Sequence, residues 1–160
     1  MGTGVDRSHA RRYQSHQLRV GRLSEPGRSY LVTTTTKQRQ PWFEGWNAAW
    51  CCARALHDAP SLMPLTSLAW VVMPDHVHWL FTLRDGALDQ IMQAFKSRAA
   101  RSCNATLGRT GPIWQPGYHD HAVREEEDLR RLARYIVGNP IRAGLCDTAG
   151  DYPFWDACWL

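Results

Sequence analysis

Two apolar segments separated only by Pro74-Asp75 constrain this chain more than any other feature. Residues 68–73 are an unbroken apolar run, and residues 76–83 follow at once. A parallel crossover needs a dozen or more residues, so a two-residue link commits the segments to an antiparallel hairpin. The first segment reads as a strand buried on both faces. In the second, alternation puts His76, His78, Leu80 and Thr82 on one side and Val77, Trp79, Phe81 and Leu83 on the other. The second set is wholly apolar and is the expected core face.

The remaining elements arrange themselves around that hairpin. Residues 29–36 are β-branched and aromatic and read as a strand. Pro41 suits a first helical position, and Trp42, Trp46 and Trp50 at four-residue spacing predict a helix to about His57. That tryptophan stripe is read mainly as core, with stacking on unpaired bases as the other use of some of its rings. A loop is expected around Pro60 and Pro64. Leu88, Ile91, Met92 and Phe95 predict a second helix to about Cys103. Residues 113–123 read as extended, interrupted at Pro116-Gly117. Residues 125–137 read as a helix with acids in its first turn, ending at Gly138 and Pro140. A Trp-rich tail at 151–155 is expected to pack on the core. The order strand, helix, strand, strand, helix, strand, helix predicts α+β, an antiparallel sheet with helices on one or both faces. A length of 160 residues suits one domain, 21–160, behind a leader, 1–20.

Composition excludes several classes. The longest apolar run is far shorter than the ~18–20 residues of a membrane span, and the first ten residues contain no signal-peptide core. Five cysteines, an odd count without a CxxC pair, argue against a disulfide framework and a cysteine zinc site. A soluble, cytoplasmic protein without membrane association is expected. Residues 1–40 carry eight bases and two acids, whereas residues 41–160 carry eleven bases and thirteen acids. A basic arm on a near-neutral body suits a phosphate backbone, and suits a solvated tail equally well.

Two stretches have the residue types of a reaction centre. His76-Val77-His78 places two imidazoles on one side of a stiff strand, where they can ligate one metal ion or serve as structural or solvent-facing histidines. Tyr135 and Asn139, four apart, share one side of a helix end at the edge of its apolar stripe. A tyrosine there can be an interface residue, a core residue with its hydroxyl at the rim, or a nucleophile.

Together these stretches resemble a family. His76 and His78 within MPDHVHWL, and Tyr135 within RYIVGNPIRAGL, are similar to the HUH single-tyrosine transposases, in particular the REP-associated tyrosine transposase group. Residues 114–121, WQPGYHDH, followed by Arg124, resemble that group's block before the catalytic helix. The similarity runs from about Gly21 to Trp155. It implies a ferredoxin-like sheet carrying the histidines, with the tyrosine on a helix beside it. It implies metal-dependent nicking and joining of single-stranded or hairpin DNA through a covalent 5′-phosphotyrosine. By this resemblance His76 and His78 bind Mg²⁺ or Mn²⁺, Tyr135 is the nucleophile, and Asn139 occupies the place of a third ligand. Arg131, one helical turn earlier, is the candidate cation beside the phenol.

DNA contacts are expected from Arg19, Arg22, Arg28, Lys96 and Arg124. His119 and His121 form a second HxH, which can contact DNA, orient a ligand, or join the first pair in a closed zinc site. The competing functions are a non-catalytic single-strand nucleic-acid-binding module on the same scaffold, and a zinc hydrolase using both histidine pairs. Monomer and homodimer are equally open.

Overall fold

The computed structural model describes residues 24–124 and 127–159. Arg19, Arg22 and the whole 1–20 leader lie outside the described residues. Met73 pairs with His76 across the Pro74-Asp75 link, so β2 (Leu65–Met73) and β3 (His76–Leu83) form the expected antiparallel hairpin. On the other side of β3 lies β1 (Ser29–Thr35), followed by β4 (His119–Ala122); β5 (Trp155–Ala157) borders β2. The order is β4-β1-β3-β2-β5, and every pairing is antiparallel.

Helix α1 (Trp46–Leu62) carries the chain from β1 to β2, and α2 (Leu88–Leu107) from β3 to β4. Each connection skips one strand, which lies between its two ends. This is the split βαβ unit, twice over, of the ferredoxin-like α+β fold, with β5 added at one edge. Two further helices, α3 (Leu129–Val137) and α4 (Asn139–Arg142), follow β4.

The alternation of β3 divides the interior into two cores. Val77, Trp79, Phe81 and Leu83 pack with Leu56 of α1 and Ile91, Met92 and Phe95 of α2. Burying each such aliphatic or phenyl side chain contributes about 1.5–3 kcal/mol. Leu80, on the opposite face, packs with Ala69, Val71 and Met73 of β2 and Ala133, Ile136 and Val137 of α3. The sheet is therefore covered on both faces, and α3 covers the face that carries His76 and His78. A register irregularity between Ser67 and Ala69 changes the phase of β2. Leu65 thus shares the first core with Trp70 and Val72, while Ala69, Val71 and Met73 serve the second.

Several boundaries differ from expectation. Trp42–Glu44 is a separate 3-10 turn, and α1 begins only after Gly45, whose extended backbone (φ −74°, ψ 136°) starts it. From that start the inward stripe is Ala49, Cys52, Ala53, Leu56 and Ala59. These small residues let the helix lie close to the sheet and turn the tryptophans away: Trp46 is 60% and Trp50 54% exposed. The reading of these two rings as core is overturned. Pro60 lies inside α1 rather than in a loop, two residues from its end. Helix α2 runs one turn beyond Cys103, to a left-handed Gly108 (φ 62°). Strand β4 is shorter than its extended segment, with one further bridge from Trp114 to Thr36. Helix α3 begins at Leu129: the Asp128 carboxylate accepts from the Arg130 amide, 2.8 Å away, so this acid caps the helix rather than occupying its first turn. Among the described residues no helix is long and apolar enough to cross a membrane.

Candidate active site

The two histidine rings of β3 are edge to face, their centroids 4.8 Å apart. Each δ nitrogen has a partner of its own. His76 Nδ1 lies 2.7 Å from Asp75 Oδ1. An ionised carboxylate only accepts, so Nδ1 carries the proton and, in the neutral ring, Nε2 keeps the lone pair. His78 Nδ1 lies 2.8 Å from Thr33 Oγ1, the residue opposite it on β1. A proton on that nitrogen likewise leaves Nε2 for a ligand. Burial pushes the His78 pKa down to about 4, and the neighbouring His76 and the Arg142 guanidinium push in the same direction. The neutral imidazole, the form that binds a metal, is therefore favoured.

Asp75 is itself held. Arg39 Nε lies 3.6 Å from Asp75 Oδ2, and the Thr36 hydroxyl donates to the Asp75 carbonyl, 3.1 Å away. Arg39 reaches there from a 3-10 turn in which Gln38 and Arg39 adopt left-handed backbone, φ 54° and 53°. Such a conformation costs roughly 1–2 kcal/mol per residue, and here it lies beside the candidate site.

Tyr135 projects from α3, whose inward residues Ala133, Ile136 and Val137 pack on the histidine-bearing face. The tyrosine is 59% exposed, beside the stripe rather than in it. Helix α3 ends at Val137, capped by Gly138 as its sequence suggests, and the chain turns straight into α4. Gly138 has helical dihedrals (φ −77°, ψ −6°), and amide hydrogen bonds from Gly138 to Arg134 and from Arg142 to Gly138 continue the helical path. Pro140 lies in the first turn of α4, where its missing N–H is tolerated. Tyr135, Asn139 and Arg142 thus follow the i, i+4, i+7 spacing of one helical face. The Arg142 guanidinium lies over the Tyr135 ring, 4.0 Å from its centroid, and its Nη2 donates to the Tyr135 carbonyl. Arg142 is thus a cation placed directly against the tyrosine ring.

The residues expected to touch DNA have separate placements. Arg28 and Arg124 line one cleft of about 650 Å³, together with Glu25 and Glu127. Arg28 pairs with Glu25 at 3.0 Å. The cleft adjoins Ser29, four residues and roughly 13 Å along β1 from Thr33. Lys96 clamps the segment before β4, its ammonium donating to the carbonyls of Gln115 (2.9 Å) and Gly117 (2.8 Å). His119 stands opposite Thr33, which stands opposite His78, so His119 shares the active face two strands and roughly 10 Å from His78. His121 Nε2 lies 3.0 Å from Glu127, whose pKa is lowered first by the Arg124 amide and then by His121. Among the described residues no group of three or more His, Cys, Asp or Glu side chains is placed to hold a metal ion. The closed zinc site built from both histidine pairs is not formed.

Thr33, Asp75 and Arg142 were missed by motif reading. Asp75 directly precedes the HxH, and Arg142 is seven residues after Tyr135, a helical repeat hidden by the Gly-Asn-Pro that suggested a stop. Thr33 leaves no local signal, because its role comes from strand pairing.

The profile of the family described as IS200-like transposases matches residues 27–139, which include His76, His78, Tyr135 and Asn139. The chain belongs to this family. It is 33% identical over 93 residues to the REP-associated tyrosine transposase of Escherichia coli (strain K12), a match covering 57% of this chain and 53% of that protein. The chain spans about half the length of the curated relatives it matches. A solved structure of a REP-associated tyrosine transposase bound to a REP hairpin superposes with a TM-score of 0.70 at 26% identity, covering 84% of this chain and 79% of that one. A bacterial tRNA(His) guanylyltransferase-like protein in complex with GTP shares the fold alone, with a TM-score of 0.53 at 12% identity over 91% of this chain and 79% of that one. Family membership therefore rests on the matched residues and not on the sheet, since one fold hosts unrelated chemistries.

Proposed function

We propose that this chain nicks and rejoins single-stranded DNA at hairpins of the REP type, with Tyr135 as nucleophile and His76 and His78 as ligands of a divalent cation, Mg²⁺ or Mn²⁺. The observation that carries this reading is the common face: α3 packs on the same side of the sheet as the histidine pair, with Arg142 against both Tyr135 and the electrostatic surroundings of His78. The donor set fits a catalytic cation. Two imidazoles have their δ nitrogens tied, and the amide of Asn139, four residues after Tyr135, offers a third donor, an oxygen. Three protein donors leave coordination positions for phosphate oxygens. When bound, the cation supplies charge stabilisation to the phosphate as it is attacked.

The protein's own residues do the rest. The Tyr135 oxygen forms a bond to phosphorus as the bond from phosphorus to the 3′ oxygen breaks. The phenol proton is balanced by the proton that the departing 3′ hydroxyl gains. The phosphotyrosine ester conserves the bond energy, so the free hydroxyl can attack back and rejoin the strand. Arg28 and Arg124 line the cleft at the far end of β1 opposite Glu25 and Glu127, and are the guanidinium groups offered there to a flanking phosphate backbone.

The test is incubation with hairpin oligonucleotides and Mg²⁺ or Mn²⁺, followed by a denaturing gel. A denaturant-resistant protein–DNA band that requires metal and is absent from Tyr135→Phe supports the reading. Binding with no such band from the wild-type protein favours the non-catalytic module instead.

A further inference from the structure

Arg142 lies three residues beyond the family match and outside the histidine and tyrosine pair that define the site. It nevertheless makes two different contacts with one residue. Its guanidinium lies over the Tyr135 ring at 4.0 Å, and its Nη2 donates to the Tyr135 carbonyl. A half-exposed tyrosine otherwise samples several rotamers about χ1. A planar cation fixed to its backbone and lying on its ring restricts that choice.

The sequence makes room for this arrangement at one position. A Cβ added to Gly138 would lie 2.9 Å from Arg142 Nη1 and 3.2 Å from the Arg134 carbonyl. The backbone at Gly138 is ordinary right-handed helix, φ −77°, so glycine is not needed there for its dihedrals. It is needed for the space the guanidinium occupies. The crowded partner is mainly the far end of a flexible side chain. Gly138→Ala should therefore fold and displace Arg142 rather than break the helix.

We propose that Arg142 is a positioning residue for Tyr135: stacked on the ring and anchored to the same residue's carbonyl, through the gap left by Gly138, it holds the phenol in the orientation from which it attacks the phosphate. This rests on Tyr135 being the nucleophile. It assigns Arg142 no contact with DNA. Arg142→Lys is not a conservative change here, because an ammonium keeps the charge but neither stacks as a plane nor donates as a fork.

The experiment compares the wild type with Tyr135→Phe, Arg142→Lys, Arg142→Gln and Gly138→Ala. Single-turnover cleavage of a REP-type hairpin is measured with Mn²⁺, and hairpin affinity is measured separately in EDTA. Carbon-13 tyrosine-ring spectra of the free proteins report the ring environment, with the Tyr135 resonance assigned by its loss in Tyr135→Phe. All three Arg142 and Gly138 variants are expected to cleave about 10²-fold more slowly, as misplacement of a reacting group by ~1 Å does. Affinity is expected to stay within about two-fold, so that the loss is in the chemical step and not in binding. The Tyr135 resonance is expected to move in all three, and lysine is expected not to rescue. Wild-type cleavage by the Arg142 variants overturns the positioning role, as does a loss residing wholly in affinity, which makes Arg142 a phosphate contact. A wild-type protein that forms no adduct overturns the nucleophile reading itself, a different result from normal adduct formation in the variants.

Discussion

Thr33 and His78 stand directly opposite each other on β1 and β3, with the threonine hydroxyl 2.8 Å from the imidazole Nδ1. Strand pairing thus gives the δ nitrogen of a candidate metal ligand its hydrogen-bond partner. Thr33→Val keeps the branched shape and strand preference and removes the hydroxyl that pairs with Nδ1. We expect Mn²⁺ affinity to fall about 10–100-fold, the usual effect of losing a partner that orients a ligating histidine. Stability should fall by only about 1–3 kcal/mol, for one unsatisfied polar group. Isothermal titration with Mn²⁺ checks the first and urea unfolding of the metal-free protein the second; wild-type affinity in Thr33→Val shows that another group orients His78.

Asp75 plays the equivalent part for His76, with Arg39 behind it. Asp75→Asn retains a carbonyl acceptor for Nδ1–H, and Asp75→Ala retains none. Affinity for Mn²⁺ is therefore expected in the order wild type, Asn, Ala. Equal affinities for the two variants show that the carboxylate acts by charge alone, not by fixing the tautomer.

The tryptophans separate into two groups with opposite predicted costs. Trp79 is fully buried between the sheet and α2, its Nε1 donating to Ser67 Oγ 3.0 Å away. Trp79→Ala is expected to cost about 3–5 kcal/mol. Trp50, more than half exposed, is expected to tolerate Trp50→Gln within about 0.5 kcal/mol. Denaturant midpoints of the two variants decide the matter, and a large loss from Trp50→Gln shows that its ring supports the fold after all.

These contrasts show what was legible in the chain. Alternation along residues 76–83 gave the correct core face, and the two-residue link gave the hairpin, because both depend on local geometry. The tryptophan stripe misled because the Ala49, Cys52, Ala53 and Leu56 stripe competes at the same spacing, and close approach to a sheet favours the small residues. Tyr135 and Asn139 were readable as neighbours on one helix, but Arg142 was hidden by a Gly-Asn-Pro that the backbone passes through in helical conformation. Thr33 was invisible because its partner is 45 residues away. Lys96 looked like a DNA contact by charge and type, and its engagement with two loop carbonyls is a tertiary fact.

Tyr152 joins the C-terminal segment to the sheet and gives that attachment a pH dependence. Its hydroxyl donates to the Val72 carbonyl, 2.6 Å away. Burial pushes its pKa up to about 12 from 10.0, and Cys146 pushes the same way. The native state therefore keeps a proton that the unfolded chain releases between those values. The stabilisation is complete below the unfolded pKa and is lost as pH rises towards the folded one. Tyr152→Phe removes the hydrogen bond, with an expected loss of about 0.5–1.5 kcal/mol near neutral pH. The variant has no phenol to titrate, so its disadvantage should shrink at about pH 11. Urea unfolding of both proteins at the two pH values measures the difference directly, with the other titrating groups common to both. A disadvantage that stays constant or grows with pH shows that the Val72 contact does not depend on the protonated phenol.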